Sequence, residues 1–281
     1  MRERGRWARR SKLPGGLTLR ALVPNAITSA ALCCGLTGIR FAIGGEWERS
    51  VQAVILAGVL DGIDGKIARL LKAESRFGAE LDSLSDSISF GVAPALIMFL
   101  WSLQQVPRLG WFAALAFAIC MTLRLARFNA QIDMPDEPRK HAGFLTGVPA
   151  PVGAGLVMLP LYLWIASDTA HSRNPIFRDP AVVETWLIMV AFLLISSLPT
   201  LSWKSIRPRR SVRLELIALF GLVIAALLNE PWFTLAGICA VYLCSIPYGV
   251  MLYARVKKQL ALRAEGRAGG QAATEGRPTD A

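Results

Sequence analysis

The sequence predicts an all-α fold: a polytopic membrane helix bundle of about eight transmembrane helices, with both termini on the cytoplasmic side. Three observations predict it. The chain has 281 residues, of which 53% are hydrophobic and only 18% charged; a soluble domain of this size carries more charge. The apolar residues come in long blocks, each of a length that crosses roughly 30 Å of hydrocarbon. The Lys and Arg residues collect on alternate sides of those blocks.

The spans fall at about 22–42, 50–71, 79–101, 109–130, 146–166, 183–202, 212–229 and 231–255. The second and third are the least pure, because they carry aspartates. Charge placement orients them. With a cytoplasmic N-terminus, 26 of the 31 Lys and Arg residues fall inside. The five outside are Arg40, Arg49, Arg108, Arg173 and Arg178. This is the positive-inside bias of an N-in, C-in protein. The net charge of +11 is then topology and attraction to anionic lipid. No soluble domain is left over to carry a nucleic-acid-binding face, so nucleic acid is not an expected partner.

Residues 1–21 form a basic cytoplasmic arm. No small-residue cleavage pattern closes the apolar run that follows, and seven more spans come after it, so it reads as a span rather than a signal peptide. Residues 22–258 form the transmembrane domain. The tail 259–281 is polar and rich in Ala, Gly and Arg, the composition of a disordered segment. The five cysteines (Cys33, Cys34, Cys120, Cys239, Cys244) all fall in spans without CxxC spacing, and read as small packing residues. Trp101, Trp111, Trp164 and Trp203 near span ends read as interface belts.

The chemistry concentrates in "LDGIDGKIARLLKAESRFGAELDSLSD", which starts at Leu60. An ionisable residue at membrane depth is costly and marks function by default. Asp61 and Asp64 are i, i+3 and share a helix face; Asp82 and Asp86 are i, i+4 and share another. The short connection between them makes the two spans antiparallel neighbours, so the two pairs can face each other. Four carboxylates that close repel unless cations neutralise them. Hard oxygen ligands suit Mg2+, Mn2+ or Ca2+, and two such ions close together are a known device for moving phosphoryl groups. Gly58, Gly62, Gly65 and Gly78 allow a helix backbone or a ligand to approach. Arg69 can meet a phosphate with its fork, and Ser75 and Arg76 can donate to phosphate oxygens. An ion or proton pathway would also use carboxylates in the membrane, and the residues alone leave that alternative open.

The stretch resembles the signature of the CDP-alcohol phosphatidyltransferases, D-x-x-D-G-x-x-A-R-x8-G-x3-D-x3-D. Asp61, Asp64, Gly65, Ala68, Arg69, Gly78, Asp82 and Asp86 all fall on its fixed positions. The resemblance implies a membrane enzyme that displaces CMP from a CDP-linked lipid by the hydroxyl of an alcohol. It implies two divalent cations, Mg2+ or Mn2+, held by Asp61, Asp64, Asp82 and Asp86, with Asp86 also the catalytic base. Gly65, Arg69, Ser75 and Gly78 would bind CDP-diacylglycerol, as would Asn25 and Thr28 in "LVPNAIT". It also implies a homodimer.

Three further stretches, "SLSDSISFGVAPA" from Ser83, "RLARFN" from Arg124 and "FLTGVPAP" from Phe144, resemble the membrane-spanning phosphatidylserine synthases of that family. The acceptor implied is L-serine. Arg124 and Arg127, i, i+3 at a cytoplasmic helix end, could pair with its carboxylate, and Asn129 could bond either of its charged groups; Arg127 and Asn129 are the acceptor-binding candidates. Choline, inositol or glycerol phosphate as acceptor remains open on the motif alone. The expected location is a bacterial cytoplasmic (inner) membrane, with the active site facing the cytoplasm.

Overall fold

The computed structural model describes residues 19–132, 144–169, 175–196, 199–201, 213–249 and 251. The arm up to residue 18, the basic loop 202–212 with Trp203, and the tail 259–281 lie outside the described residues. The rest falls into two compact units that divide between Trp101 and Ser102.

The first unit is a helical hairpin and a broken third helix. Helix α1 (Leu19–Ile43) turns through Gly44 and Gly45 into α2 (Trp47–Leu70). Gly45 has φ +75°, and the Glu46 N–H reaches back to the Phe41 carbonyl at 2.9 Å. That left-handed residue is what closes a helix end this tightly. The two helices approach closely at Gly38. A Cβ there would meet the Ser50 carbonyl and a Val54 methyl at 3.2 Å, and the Ser50 hydroxyl donates to the Gly38 carbonyl at 2.8 Å.

Helix α3 (Arg76–Asp86) runs through a π-helical stretch (Ser87–Val92) into α4 (Ala93–Trp101). The π stretch lies just before Pro94, which has no N–H for the Phe90 carbonyl. The ladder shifts instead, with the Ala93 N–H on the Ile88 carbonyl. Such insertions gather at functional sites, and this one begins directly after Asp86. It packs on α1. A Cβ at Gly35 would sit 2.6 Å from the Ser89 Oγ and 2.9 Å from its Cα.

The second unit opens with α5 (Pro107–Ile132). Phe144–Thr146 pairs antiparallel with Pro199–Leu201 in a two-stranded ladder, β1 and β2. Three residues are too few to show an alternating pattern, so this ladder adds to the all-helical reading. Gly147 follows with φ +80° and Pro149 caps α6 (Ala150–Val157), so helix begins at residue 150 rather than 146. Helix α7 (Leu159–Thr169) continues it after a 44° bend. The bend has a chemical cause. Pro160 cannot donate to the Leu156 carbonyl, and the Trp186 indole N–H takes that acceptor at 2.8 Å. Trp186 lies on α8 (Pro180–Ile195), which starts at Asp179, whose carboxylate accepts from the Ala181 and Val182 N–H groups. Helices α9 (Arg213–Asn229) and α10 (Pro231–Gly249) end the described chain.

Among the described residues four helices are long and apolar enough to cross a membrane: residues 22–43, 76–101, 107–130 and 231–249. The bent pair α6 and α7 makes a fifth, and α8 and α9 are shorter apolar helices. Helix α2 falls outside this set because it carries Asp61, Asp64, Lys66 and Arg69. The protein is therefore a helical membrane protein. Helix α9 exposes Leu214, Phe220, Leu222 and Leu228 around its circumference, a surface that suits lipid. One expectation is corrected: Trp101 is not an interface residue, being 1% exposed, whereas Trp111 is exposed. All five cysteines are free thiols, and of them only Cys239 is buried.

The Gly35 contact gives a test. Gly35→Ala must push the Ser89 backbone away and is expected to destabilise the protein by about 1–3 kcal/mol. Gly62→Ala, where a Cβ meets nothing within 4 Å, is expected to be neutral or slightly stabilising. Thermal unfolding of both variants in detergent checks the pair.

Candidate active site

The site is built where α2 ends and α3 begins. Between them the chain makes a tight, fully bonded turn. Lys72 takes a left-handed conformation (φ 50°), and the Ala73 N–H bonds the Ala68 carbonyl at 2.9 Å, which is the pattern that ends a helix on a left-handed residue. Ser75 then caps α3, its Oγ accepting from the Gly78 N–H at 3.0 Å. The connection is thus structured at both ends, and it fixes the register of the aspartates across the seam.

Asp61, Asp64 and Asp82 each offer a carboxylate oxygen within 4.8 Å of the others. Asp61 also interacts through its carboxyl with Asp86. Asp61 and Asp64 are charged neighbours of Asp82, and Asp61, Asp82 and Asp64 of Asp86. Two unit charges at 4.8 Å repel by about 3 kcal/mol at an effective dielectric near 20. A cluster of hard oxygen donors at this spacing fits divalent cations such as Mg2+ or Mn2+.

Asp64 is the most enclosed of the four, at 4% exposed. The Thr28 hydroxyl on α1 donates to its Oδ2 at 2.5 Å. Thr28 is itself held in place: the Ser85 hydroxyl donates to its carbonyl at 3.3 Å. One turn on, the Ser89 hydroxyl lies 3.5 Å from the Ala31 carbonyl. This pair of serines, i and i+4 on the broken helix, docks it on α1.

A cavity of about 320 Å3 adjoins the cluster. Asn25, Thr28, Asp64, Gly65, Arg69, Glu74, Ser75, Gly78 and Asp82 are among the residues that line it. The glycines differ in what they do. A Cβ at Gly78 would meet the Asn25 Oδ1 at 3.0 Å, so Gly78 admits Asn25. A Cβ at Gly65 meets no atom, so its bareness serves the cavity rather than helix packing. Arg69 is held by its Nε on the Gly65 carbonyl at 3.0 Å, which leaves its terminal nitrogens for an anion. The Asn25 Nδ2 is buried without a hydrogen-bond partner. A buried donor of that kind is costly and suits a ligand acceptor.

The structure thus gathers Asn25, Thr28, Asp61, Asp64, Gly65, Arg69, Ser75, Gly78, Asp82 and Asp86 around one place. Glu74 and Ala73 line the cavity and were not anticipated; no motif position marks them. Arg127 and Asn129 belong to the second unit. There the Arg127 Nη1 donates to the Ile195 carbonyl at 3.2 Å, at the end of α8. Arg127 also flanks Gly147, whose Cβ would lie 3.7 Å from its Nη2. Arg124, 9% exposed, is buried on the same helix.

Comparison with known proteins agrees with the geometry. A family model described as CDP-alcohol phosphatidyltransferase matches residues 21–198. A second, CDP-alcohol phosphatidyltransferase 2, matches residues 212–247. A CDP-diacylglycerol–serine O-phosphatidyltransferase of Mycobacterium leprae is 34% identical over 229 residues, covering 82% of this chain and 74% of the relative. One from Mycobacterium bovis is 34% identical over 235 residues, covering 84% and 80%. One from Saccharomyces cerevisiae is 32% identical over 163 residues, covering 56% and 58%. With the aspartate signature intact and the matched residues spanning both units, the chain belongs to the CDP-alcohol phosphatidyltransferase family.

Proposed function

We propose that the protein transfers the phosphatidyl group of CDP-diacylglycerol to the hydroxyl of L-serine, giving phosphatidylserine and CMP. The observation that carries this is the carboxylate cluster of Asp61, Asp64 and Asp82 beside a cavity lined by Arg69, Ser75 and Asn25. The serine acceptor rests on the relatives' names and on the Arg124, Arg127 and Asn129 stretch.

Asp61, Asp64 and Asp82 act chiefly as ligands, and Asp86 shares in that set. Divalent cations bound there supply charge neutralisation for the diphosphate and the departing CMP. Arg69 donates its terminal N–H groups to phosphate oxygens. Ser75 keeps its hydroxyl proton to donate, since its oxygen already caps α3. Gly65 and Gly78 leave room for the nucleotide, and Asn25 offers its Nδ2. An Asp86 carboxylate oxygen takes the proton of the serine hydroxyl as that oxygen attacks phosphorus. Arg127 and Asn129 receive the serine carboxylate and ammonium.

The same reading takes residues 22–258 as one domain that crosses a bacterial cytoplasmic membrane eight times, N-in and C-in. The basic arm and tail then lie in the cytoplasm. Each of the eight apolar segments is at least partly helical in the structure, and the Lys and Arg bias orients them. The ends of α2 and α3 then face the cytoplasm, where serine is available and CMP is released. The protein acts as a homodimer within lipid.

CMP release by purified protein tests the function. Serine, choline, inositol and glycerol 3-phosphate are offered separately with CDP-diacylglycerol. Release with serine alone, lost on chelation and restored by Mn2+ or Mg2+, is expected; release with another acceptor overturns the serine assignment. Asp86→Asn is expected to lower turnover at least about 100-fold while the protein stays folded, and near-normal turnover would remove Asp86 as the base. Arg127→Ala is expected to raise the KM for serine and not that for CDP-diacylglycerol. An equal rise in both would assign Arg127 to holding shared structure, its bond with Ile195 included.

A further inference from the structure

We propose that Thr28 is a positioning residue that sets the orientation of Asp64 for the metal. The inference rests on reading the aspartate cluster as a metal centre. It adds to the expectation, from the motif, that Thr28 contacts the nucleotide; Thr28 also lines the cavity.

The geometry commits the Thr28 hydroxyl. Its oxygen lies 2.5 Å from the Asp64 Oδ2 and 3.1 Å from the Pro24 carbonyl one turn back on its own helix. Both partners are enclosed, Thr28 at 5% and Asp64 at 4% exposed. The one hydroxyl proton goes to the carboxylate, which is the stronger acceptor. A hydroxyl so placed has no further proton to give a ribose or a base. Threonine in a helix divides between two χ1 rotamers, and the contacts with Asp64 and the Pro24 carbonyl mark the one adopted here.

The backbone is fixed in turn. The Ser85 hydroxyl donates to the Thr28 carbonyl at 3.3 Å, and Ser85 directly precedes Asp86 on the helix that also carries Asp82. One α1 residue therefore touches the helix of Asp61 and Asp64 through its side chain and the helix of Asp82 and Asp86 through its carbonyl. A carboxylate held by a buried hydroxyl donor enters coordination already oriented. Loss of such a supporting contact commonly lowers metal affinity 10- to 100-fold.

The test is a Mn2+ titration of the purified protein in detergent, read by the electron paramagnetic resonance of free Mn2+, with no liponucleotide present. Thr28→Val keeps the shape and removes the donor, and is expected to weaken Mn2+ binding about 10- to 100-fold. Thr28→Ser restores the donor and is expected to bind within about threefold of the unaltered protein. Recovery of Mn2+ affinity in Thr28→Ser but not in Thr28→Val is the signature of the hydroxyl donor, which a purely structural role would not give. Unchanged Mn2+ affinity in Thr28→Val overturns the proposal, as does a rise in the liponucleotide KM alone. If Thr28→Val does not assemble, Thr28→Ala against Thr28→Ser makes the same comparison. Unaltered protein that takes up no Mn2+, or keeps its affinity in Asp61→Asn, overturns the metal centre itself. Unaltered protein that binds while Thr28→Val binds equally overturns only the role of Thr28.

Discussion

Repulsion among four carboxylates governs this structure. Asp61, Asp64 and Asp82 bring oxygens within 4.8 Å of one another, and Asp86 leans on Asp61. At such spacing each charge opposes the next, and the helices that carry them would part if nothing held them. What holds them is a set of small, directional contacts. The Ser50 hydroxyl binds α2 to α1 at Gly38. The left-handed turn at Lys72 and the Ser75 cap fix the seam between α2 and α3. Ser85 and Ser89 fasten the broken helix to α1. Each is a polar bond within the first unit, between helices that an apolar environment alone would not align.

The same contacts explain how a rigid centre coexists with an open one. Gly65 faces empty space, and the cavity beside it is lined by groups with hydrogen-bonding capacity to spare: the Asn25 amide, the Ser75 hydroxyl and the Arg69 fork. Anion-binding groups and cation-binding carboxylates line the same cavity. A diphosphate flanked by metal ions needs both. The π stretch after Asp86 gives α3 a different facing from α4. The carboxylates can therefore face the seam while α4 packs its apolar residues.

Much of this was legible in the sequence, because chemistry fixed residue types at fixed intervals. The aspartate spacings put two carboxylates on each of two helix faces, and the structure brings the faces together. The apolar blocks announced the helices. What stayed hidden depends on contacts across long separations. Thr28 and Asp64 are 36 residues apart, and nothing local marks that bond. Trp101 looked like a boundary residue from its place at a span end, yet packing encloses it. Pro160 could be read as a helix disruptor, but its consequence needed Trp186 to fill the vacated acceptor. The strands at Phe144 and Pro199 are too short to carry a pattern. Arg127 drew notice as a cation near a helix end; the Ile195 carbonyl it also serves lies on another helix.

The central claim is a two-metal centre made by four aspartates. Anomalous diffraction at the manganese edge, from crystals grown with Mn2+, tests it most directly. The account predicts two peaks, bounded by Asp61, Asp64, Asp82 and Asp86 and about 4 Å apart. A single peak, or peaks outside this set of carboxylates, would contradict it.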